Sequence, residues 1–515
     1  MNRAKDIEKL KTDSFDILVI GGGATGTGAA LDAVSRGLKT ALVERFDYAS
    51  GTSSRSTKLL HGGVRYLEQA VKKRDAGQYK LVRDALHERS TLLKLAPHLA
   101  RPLALVTPLY RRLDTPYYLA GLKLYDWLAG RQGLKKSHYV SAAQALAKFP
   151  MLKKEGLKGG VVYYDGQFDD ARMNVSLALT ASEQGATLAN YVEVIQLLKK
   201  DGKLVGALVQ DKETGDSFPI KAKVIINACG PFCDFVRKLD DPNASPMLTA
   251  SSGIHIVLDR KFSPPDTGLL IPKTEDNRVL FLLPWQGHTL VGTTDNPAEI
   301  EPDPQVQVSD VDYILRQLKH YFAIKVTEKD ILSRWSGLRP LVSQVKAHDT
   351  ARLSRDHLVN VSASGLVTIT GGKWTTYRKM ALDGVSQAIR VGELKPLRPS
   401  LTEKIPLAGG ENFKTSISSE LQRKFKLDPD VCQHLMESYG SRAFEVAKLS
   451  EKYPVRLSKS HPYIEAEVIY AVRVEGARNV EDVLGRRTRL SFLDAEASRK
   501  ATARVNELMK QELAL

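Results

Sequence analysis

Residues 16–28 read Asp-Ile-Leu-Val-Ile-Gly-Gly-Gly-Ala-Thr-Gly-Thr-Gly, and residues 40–44 read Thr-Ala-Leu-Val-Glu. The apolar run Ile17-Leu-Val-Ile20 predicts a buried parallel strand, and Gly21 and Gly23 permit a tight turn with close backbone approach to a pyrophosphate. Gly26 lets the following helix pack on the strand, and the helix N-terminus then faces the phosphates. Glu44 ends the second strand, where a carboxylate accepts from ribose hydroxyls and repels a 2′-phosphate. Strand, turn, helix, strand and acid in register predict a bound dinucleotide other than NADP. These residues leave open whether it is FAD or NAD.

The glycine pattern returns twice. Lys223-Val-Ile-Ile-Asn-Ala-Cys-Gly230 reads as a second buried strand ending in a glycine turn, and Leu366-Val-Thr-Ile-Thr-Gly-Gly-Lys373 as a third that leads into a helix ending near Gly392. Between them, residues 245–350 are strand-rich and suit an antiparallel substrate cover. Residues 72–94 carry apolar positions at helical spacing, and Pro97, Pro102 and Pro108 break that pattern. A Pro-containing linker over 395–406 precedes a stretch of helical patterns. The expected fold is α/β. A discontinuous Rossmann-like FAD-binding domain takes residues 1–80, 160–240 and 356–395. An antiparallel β-sheet substrate domain takes 81–159 and 241–355, and an α-helical C-terminal domain takes 400–515. Three separated glycine turns favour FAD, whose length lets distant turns touch both its phosphates and its ring.

The net charge of +16 favours an anionic partner: lipid head groups, nucleic acid or a small anionic substrate. No zinc-ligand spacing, helicase-type P-loop or RNA-recognition motif occurs, so neither a metal nor nucleic acid is expected. Cys229, Cys233 and Cys432 form no CxxC pair, which fits a reducing compartment. The first twelve residues lack a secretory pattern, and no apolar run approaches the roughly 18 residues needed to span a bilayer. A cytoplasmic protein is expected.

Four stretches together resemble the FAD-dependent, respiratory glycerol-3-phosphate dehydrogenases: Gly21-Gly-Gly-Ala-Thr-Gly26, residues 52–68 (Thr-Ser-Ser-Arg-Ser-Thr-Lys-Leu-Leu-His-Gly-Gly-Val-Arg-Tyr-Leu-Glu), Ser336-Gly-Leu-Arg-Pro-Leu341 and Gly371-Gly-Lys-Trp-Thr-Thr-Tyr-Arg378. The resemblance runs from about Asp16 to the C-terminal helices. It implies oxidation of sn-glycerol 3-phosphate to dihydroxyacetone phosphate, with electrons passing from FAD to a membrane quinone. It also implies cofactor contacts at Gly21, Gly23, Gly26, Glu44, Thr52, Ser53, Lys58, His61, Gly62, Gly63, Val194, Gly230, Gly371, Gly372 and Thr375.

Oxidation at C2 needs a base for the hydroxyl proton, and a neutral imidazole suits operating pH. His255 in Gly253-Ile-His-Ile-Val is the candidate, with His61 as runner-up. A phosphate needs converging basic groups with charge-assisted bonds. Arg65, Arg355 and Lys373, with Tyr66, are the candidates to bind it. Arg339, in an apolar sequence setting, is read as catalytic, either on the alkoxide or on the phosphate.

Residues 117–128 (Tyr-Tyr-Leu-Ala-Gly-Leu-Lys-Leu-Tyr-Asp-Trp-Leu), flanked by Arg111, Arg112, Arg131, Lys135 and Lys136, have the content of an interfacial helix. They predict peripheral attachment to an anionic surface at the inner face of the cell membrane. A homodimer is a possible assembly. The competing readings are a glycerol-3-phosphate oxidase using oxygen, an amine or hydroxy-acid flavin oxidase, and an RNA-binding flavoprotein.

Overall fold

The computed structural model describes residues 1–63, 76–111, 114–276, 278–342 and 357–514. Its first sheet runs in the order 357–361, 367–371, 217–227, 14–20, 40–44, 187–190. The strands Ser14–Ile20, Thr40–Glu44, Thr187–Asn190, Ser217–Asn227 and Val367–Gly371 are all parallel, and His357–Val361 closes one edge antiparallel. The antiparallel strands Val192–Lys200 and Lys203–Asp211 extend from Ser217–Asn227. Every residue of Ile17–Ile20 is buried, as expected of a central parallel strand covered on both faces. The helix Ala24–Ser35 packs between Asp170–Glu183 and Tyr377–Val391. A Cβ on Gly28 would come within 2.7 Å of the Tyr377 ring, so a bare backbone sets that helix spacing.

The second sheet is mostly antiparallel. It runs from 296–297 through 248–259, 288–292, 280–285, 267–271, 100–109 and 159–168 to 59–60, with Ile331–Val342 paired along Leu248–Asp259. This sheet takes in pieces that the sequence reading placed elsewhere. Gly159–Phe168 and Leu59–Leu60 pair here, so the division drawn at residue 160 moves to Asp169. Conversely, Leu92, Leu95, Ala96, Leu99 and Ala100, beyond the boundary drawn at 80, pack into the core of the first sheet. The helix Ala76–Leu95 ends before Pro97, as expected, and Pro102 and Pro108 lie in the strand Ala100–Leu109, opposite Gly166 and Gly160. The helix Val308–Tyr321 interrupts the expected strand-rich stretch.

Beyond residue 400 all regular elements are helical, ending in Ala495–Leu513. Fully buried ions fasten this region to the rest. Asp170 takes Lys58 Nζ at 2.7 Å and Arg489 Nη2 at 3.4 Å, and Arg172 pairs with Glu475 at 2.8 Å. Removing one partner of such a pair costs about 3–5 kcal/mol, because the other charge is left buried alone. No helix among the described residues is long and apolar enough to cross a membrane.

Candidate functional site

The carboxyl ends of the parallel strands open into a cavity of about 1230 Å³, where ligands bind in open α/β sheets. Its floor is backbone. A Cβ on Gly21, at φ +107°, would lie 2.7 Å from the Ala228 carbonyl, and one on Gly26 would collide with the Gly21 carbonyl. Gly23 caps the helix Ala24–Ser35 without a side-chain bond, leaving its N-terminus facing the cavity. Glu44 accepts from Gly22 N at 2.6 Å and Phe46 N at 2.9 Å. Burial raises its carboxyl pKa, and those two donors oppose the shift.

Gly21, Gly23, Glu44, Thr52, Ser53, Val194, Gly230, Gly371, Gly372 and Lys373 all line this cavity. The hydroxyl loop is less free than its composition suggests. Ser53 Oγ accepts from Ala24 N at 2.9 Å, Thr52 donates to the Leu338 carbonyl at 2.7 Å, and Ser56 donates to Asp170 at 2.7 Å. Lys58 is fully buried, held by Asp170 between the rings of Trp285 and Trp335, and burial draws its pKa down to about 8. Thr375 is buried in the turn Trp374–Thr376, which separates the glycine pair from the helix Tyr377–Val391. Trp374 donates from its indole to the Ser53 carbonyl at 2.9 Å and so ties that turn to the hydroxyl loop.

The strand Ile331–Val342 of the second sheet lines the cavity through Arg334, Trp335, Ser336 and Pro340, and its partner Leu248–Asp259, with His255, contributes no lining residue. Their register places His255 opposite Trp335, Gly253 opposite Gly337 and Ser251 opposite Arg339, all on one face. The two glycines make room, between the imidazole and the strand end, for the Arg339 guanidinium and for Arg55. A Cβ at Gly253 would strike the Arg339 guanidinium, and one at Gly337 would come within 2.8 Å of Arg55 Cβ. His255 stacks on Trp335 at 5.4 Å, and its Nε2 lies 3.0 Å from Thr57 Oγ1. Its Nδ1 has no hydrogen-bond partner among the described residues. Burial, with the charges of Lys58 and Arg339, drives its pKa well below that of ordinary histidine.

Arg339 donates to Thr294 O at 2.8 Å and Thr293 Oγ1 at 2.9 Å, and pairs with Asp295 at 3.3 Å. The apolar setting inferred from its neighbours is therefore corrected: Asp295, the Thr293 hydroxyl and the carbonyls of Thr294 and Ser252 surround it. His61 sits apart, its Nδ1 accepting from Gly63 N at 2.8 Å. Gly62 leaves room for the Tyr125 hydroxyl, which donates to the buried Asp165 at 2.9 Å beside Arg89 at 2.6 Å. Burial lowers the His61 pKa, and the nearby Lys373 charge adds to that. Arg65, Tyr66 and Arg355 lie outside the described residues.

Sequence reasoning missed several lining residues: Arg55, Trp335, Trp374 and, from the helical domain, Asn479, Arg486 and Phe492. Arg55 stood inside the quoted 52–68 stretch and Trp335 beside Ser336-Gly-Leu-Arg, so motif context carried a signal for both. No local signal marked residues 479–492.

A family described as FAD dependent oxidoreductase matches residues 16–378, and one described as the C-terminal domain of alpha-glycerophosphate oxidase matches 400–515. The human mitochondrial glycerol-3-phosphate dehydrogenase is 50% identical over 98% of this chain and 71% of its own length. This chain belongs to the FAD-dependent glycerol-3-phosphate dehydrogenase family. The glycerol-3-phosphate dehydrogenase of Bacillus halodurans, solved with FAD, superposes with a TM-score of 0.78 at 30% identity, covering 99% of this chain and 96% of that one. An L-alpha-glycerophosphate oxidase from Mycoplasma pneumoniae shares the fold alone, at a TM-score of 0.57 and 17% identity over 76% of this chain and 98% of that one. The cavity fits FAD. Its backbone cradle excludes any Cβ at Gly21 and Gly26, and its lining extends from Glu44 and Val194 to the distant Gly371 and Trp335.

The two kinds of glycine separate in a test. Gly21→Ala should purify largely without FAD, whereas Gly292→Ala, whose Cβ would collide with the His255 imidazole, should keep its FAD and lose turnover. Flavin absorbance per polypeptide and dye-linked activity measure the two effects.

Proposed function

We propose that the protein oxidises sn-glycerol 3-phosphate to dihydroxyacetone phosphate, with a membrane quinone as the final acceptor. The observation that supports this most is the strand pair beside the cavity that carries, on the same face as the lining residue Trp335, an imidazole with one ring nitrogen unbonded and a guanidinium. FAD, when bound, supplies the hydride acceptor for C2. His255 takes the C2 hydroxyl proton. A tautomer with the proton on Nε2, donated to Thr57 Oγ1, leaves the Nδ1 lone pair free for it. Its depressed pKa keeps the ring neutral, with its lone pair available, throughout the physiological range.

Lys373, at the cavity, and Arg65, Tyr66 and Arg355, assigned from the family resemblance, hold the phosphate. Arg339, fixed by Asp295 and the 293–294 carbonyl and hydroxyl, orients the substrate oxygen and stabilises charge as the O–H bond breaks. Glu44 holds the adenosine ribose, and the Gly21–Gly26 turn the diphosphate. Gly230, Gly371 and Gly372 approach the flavin half, with Thr52, Ser53 and Val194 completing the contacts. Lys58, Gly62, Gly63, His61 and Thr375 shape the site from behind.

Attachment to an anionic membrane fits the outer face of the helix Asp114–Ala129. Leu122, Tyr125 and Ala129 are buried and anchor the helix, while Trp127 is 70% exposed and Tyr117 47%. Lys123, Lys135 and Lys136 are exposed beside them, as is Tyr139. Aromatic rings with flanking lysines suit a head-group layer. Oxygen as the acceptor is the second reading, favoured by the oxidase C-terminal family that matches residues 400–515.

His255→Asn should lower kcat by on the order of a hundred- to ten-thousand-fold with FAD retained. The wild-type kcat at saturating substrate should stay level from neutral pH to well below 6.5, because the base protonates only at its lowered pKa. A limb rising through pH 6.5 in steady-state profiles would contradict this assignment. The protein should float with anionic vesicles at low salt and reduce a quinone carried in them faster than it consumes oxygen. Trp127→Ser combined with Lys135→Glu should abolish flotation without changing dye-linked turnover.

A further inference from the structure

The helical domain reaches the cavity that the two sheets build. Asn479, Glu481, Arg486 and Phe492 line it, and residues Asp482–Arg487 among them form a π-type turn. Such turns are rare and concentrate at functional sites. Here the turn aims two buried guanidinium groups at one buried carboxylate. Arg486 Nε lies 2.7 Å from Asp47 Oδ2, with its Nη2 2.6 Å from Asp482 Oδ1. Arg487 grips both oxygens of Asp47 and donates to the Glu475 carbonyl at 2.8 Å. Burial pushes the Asp47 pKa up, but Arg487 and Arg486 outweigh it and hold the carboxyl ionised.

Asp47 belongs to the loop that follows Glu44, and that loop is hooked to the glycine turn. Ala49 N donates to the Gly22 carbonyl at 3.2 Å, and Glu44 accepts from Gly22 N and Phe46 N. The far side of the loop is held too. Tyr191 N donates to the Phe46 carbonyl at 2.9 Å, and Asn190 Nδ2 donates both to Asp47 at 3.2 Å and to the Gly476 carbonyl at 2.8 Å. The π turn therefore holds Asp47 by side-chain hydrogen bonds, and the short backbone segment 44–49 that carries Asp47 is itself bonded to Gly22 through Glu44 and Ala49.

We propose that residues 475–489 act as an outer clamp on the adenosine half of the dinucleotide site: Arg486 and Arg487, through Asp47, position Glu44 and the glycine turn, so cofactor binding and docking of this segment are linked. Arg487 is a positioning residue, since it does not line the cavity. The inference rests on the assignment of Glu44 to the ribose. Linkage is reciprocal, so the cofactor must tighten the clamp as much as the clamp tightens the cofactor.

Hydrogen exchange of the full chain, apo against FAD-loaded, tests both directions without a variant. FAD should slow exchange over 475–489 as well as over the glycine turn. Slowing at the turn alone overturns the clamp and leaves the cofactor assignment standing, whereas slowing at neither overturns both. Arg487→Gln should weaken FAD and ADP by a similar factor, about tenfold, and Arg487→Lys should recover most of it. At saturating FAD the flavin potential and the KM for glycerol 3-phosphate should be unchanged. A folded Arg487→Gln protein with the wild-type dissociation constant for FAD overturns the proposal.

Discussion

The close backbone contact between the end of the strand Ser14–Ile20 and the end of Ser217–Asn227 is the constraint on which the site depends. Gly21, in left-handed conformation, lies against the Ala228 carbonyl, and Gly26 lies against the carbonyl of Gly21. No side chain fits between these groups. The helix Ala24–Ser35 is thereby pinned at the mouth of two parallel strands, with its N-terminus at the cavity. Glu44, one strand over, is then within reach of Gly22 N and of the same opening. The cradle for a diphosphate and a ribose follows from backbone packing, and the polar side chains orient what the packing has made.

The strand pair that carries His255 and Arg339 obeys a similar rule. Period-two alternation along two antiparallel strands puts His255, Trp335 and Arg339 on one face, and the opposed pair Gly253 and Gly337 makes room there for the Arg339 guanidinium and Arg55. A third bare position, Gly292, faces the imidazole from the neighbouring strand. Buried ions hold these parts together. Lys58, Asp170 and Arg489 stand behind Trp335, and the same Lys58 charge helps to keep His255 neutral. A structural ion pair and the protonation state of the proposed base are thus coupled.

Much of this was legible in the sequence because it rests on local backbone rules. The strand–glycine–helix units at 16–28, 223–230 and 366–373 announced the parallel sheet. The Ile254-His-Ile alternation announced a side chain aimed at one face, and the charge-rich segment after 400 announced helices. What was illegible depended on pairing across distance. That Gly159–Phe168 joins the second sheet is decided by its partners at 100–109 and 138–141, whatever its own composition. Prolines at 102 and 108 read as breakers, yet the strand accommodates them opposite glycines. Lys58 read as a cofactor contact and Arg339 as a residue in an apolar setting, but Asp170 and Asp295, distant in the chain, pair with them. The approach of residues 479–492 to the cavity left no local trace at all.

The central claim is that this constellation oxidises a phosphorylated polyol at C2 through FAD. Anaerobic mixing of the holoenzyme with sn-glycerol 3-phosphate, followed through the visible absorbance of the flavin, tests it most directly. The account predicts rapid bleaching that saturates with substrate, is absent with unphosphorylated glycerol, and is slowed severely in His255→Asn. A flavin that stays oxidised in the wild-type protein, or that bleaches equally fast in the variant, would contradict it.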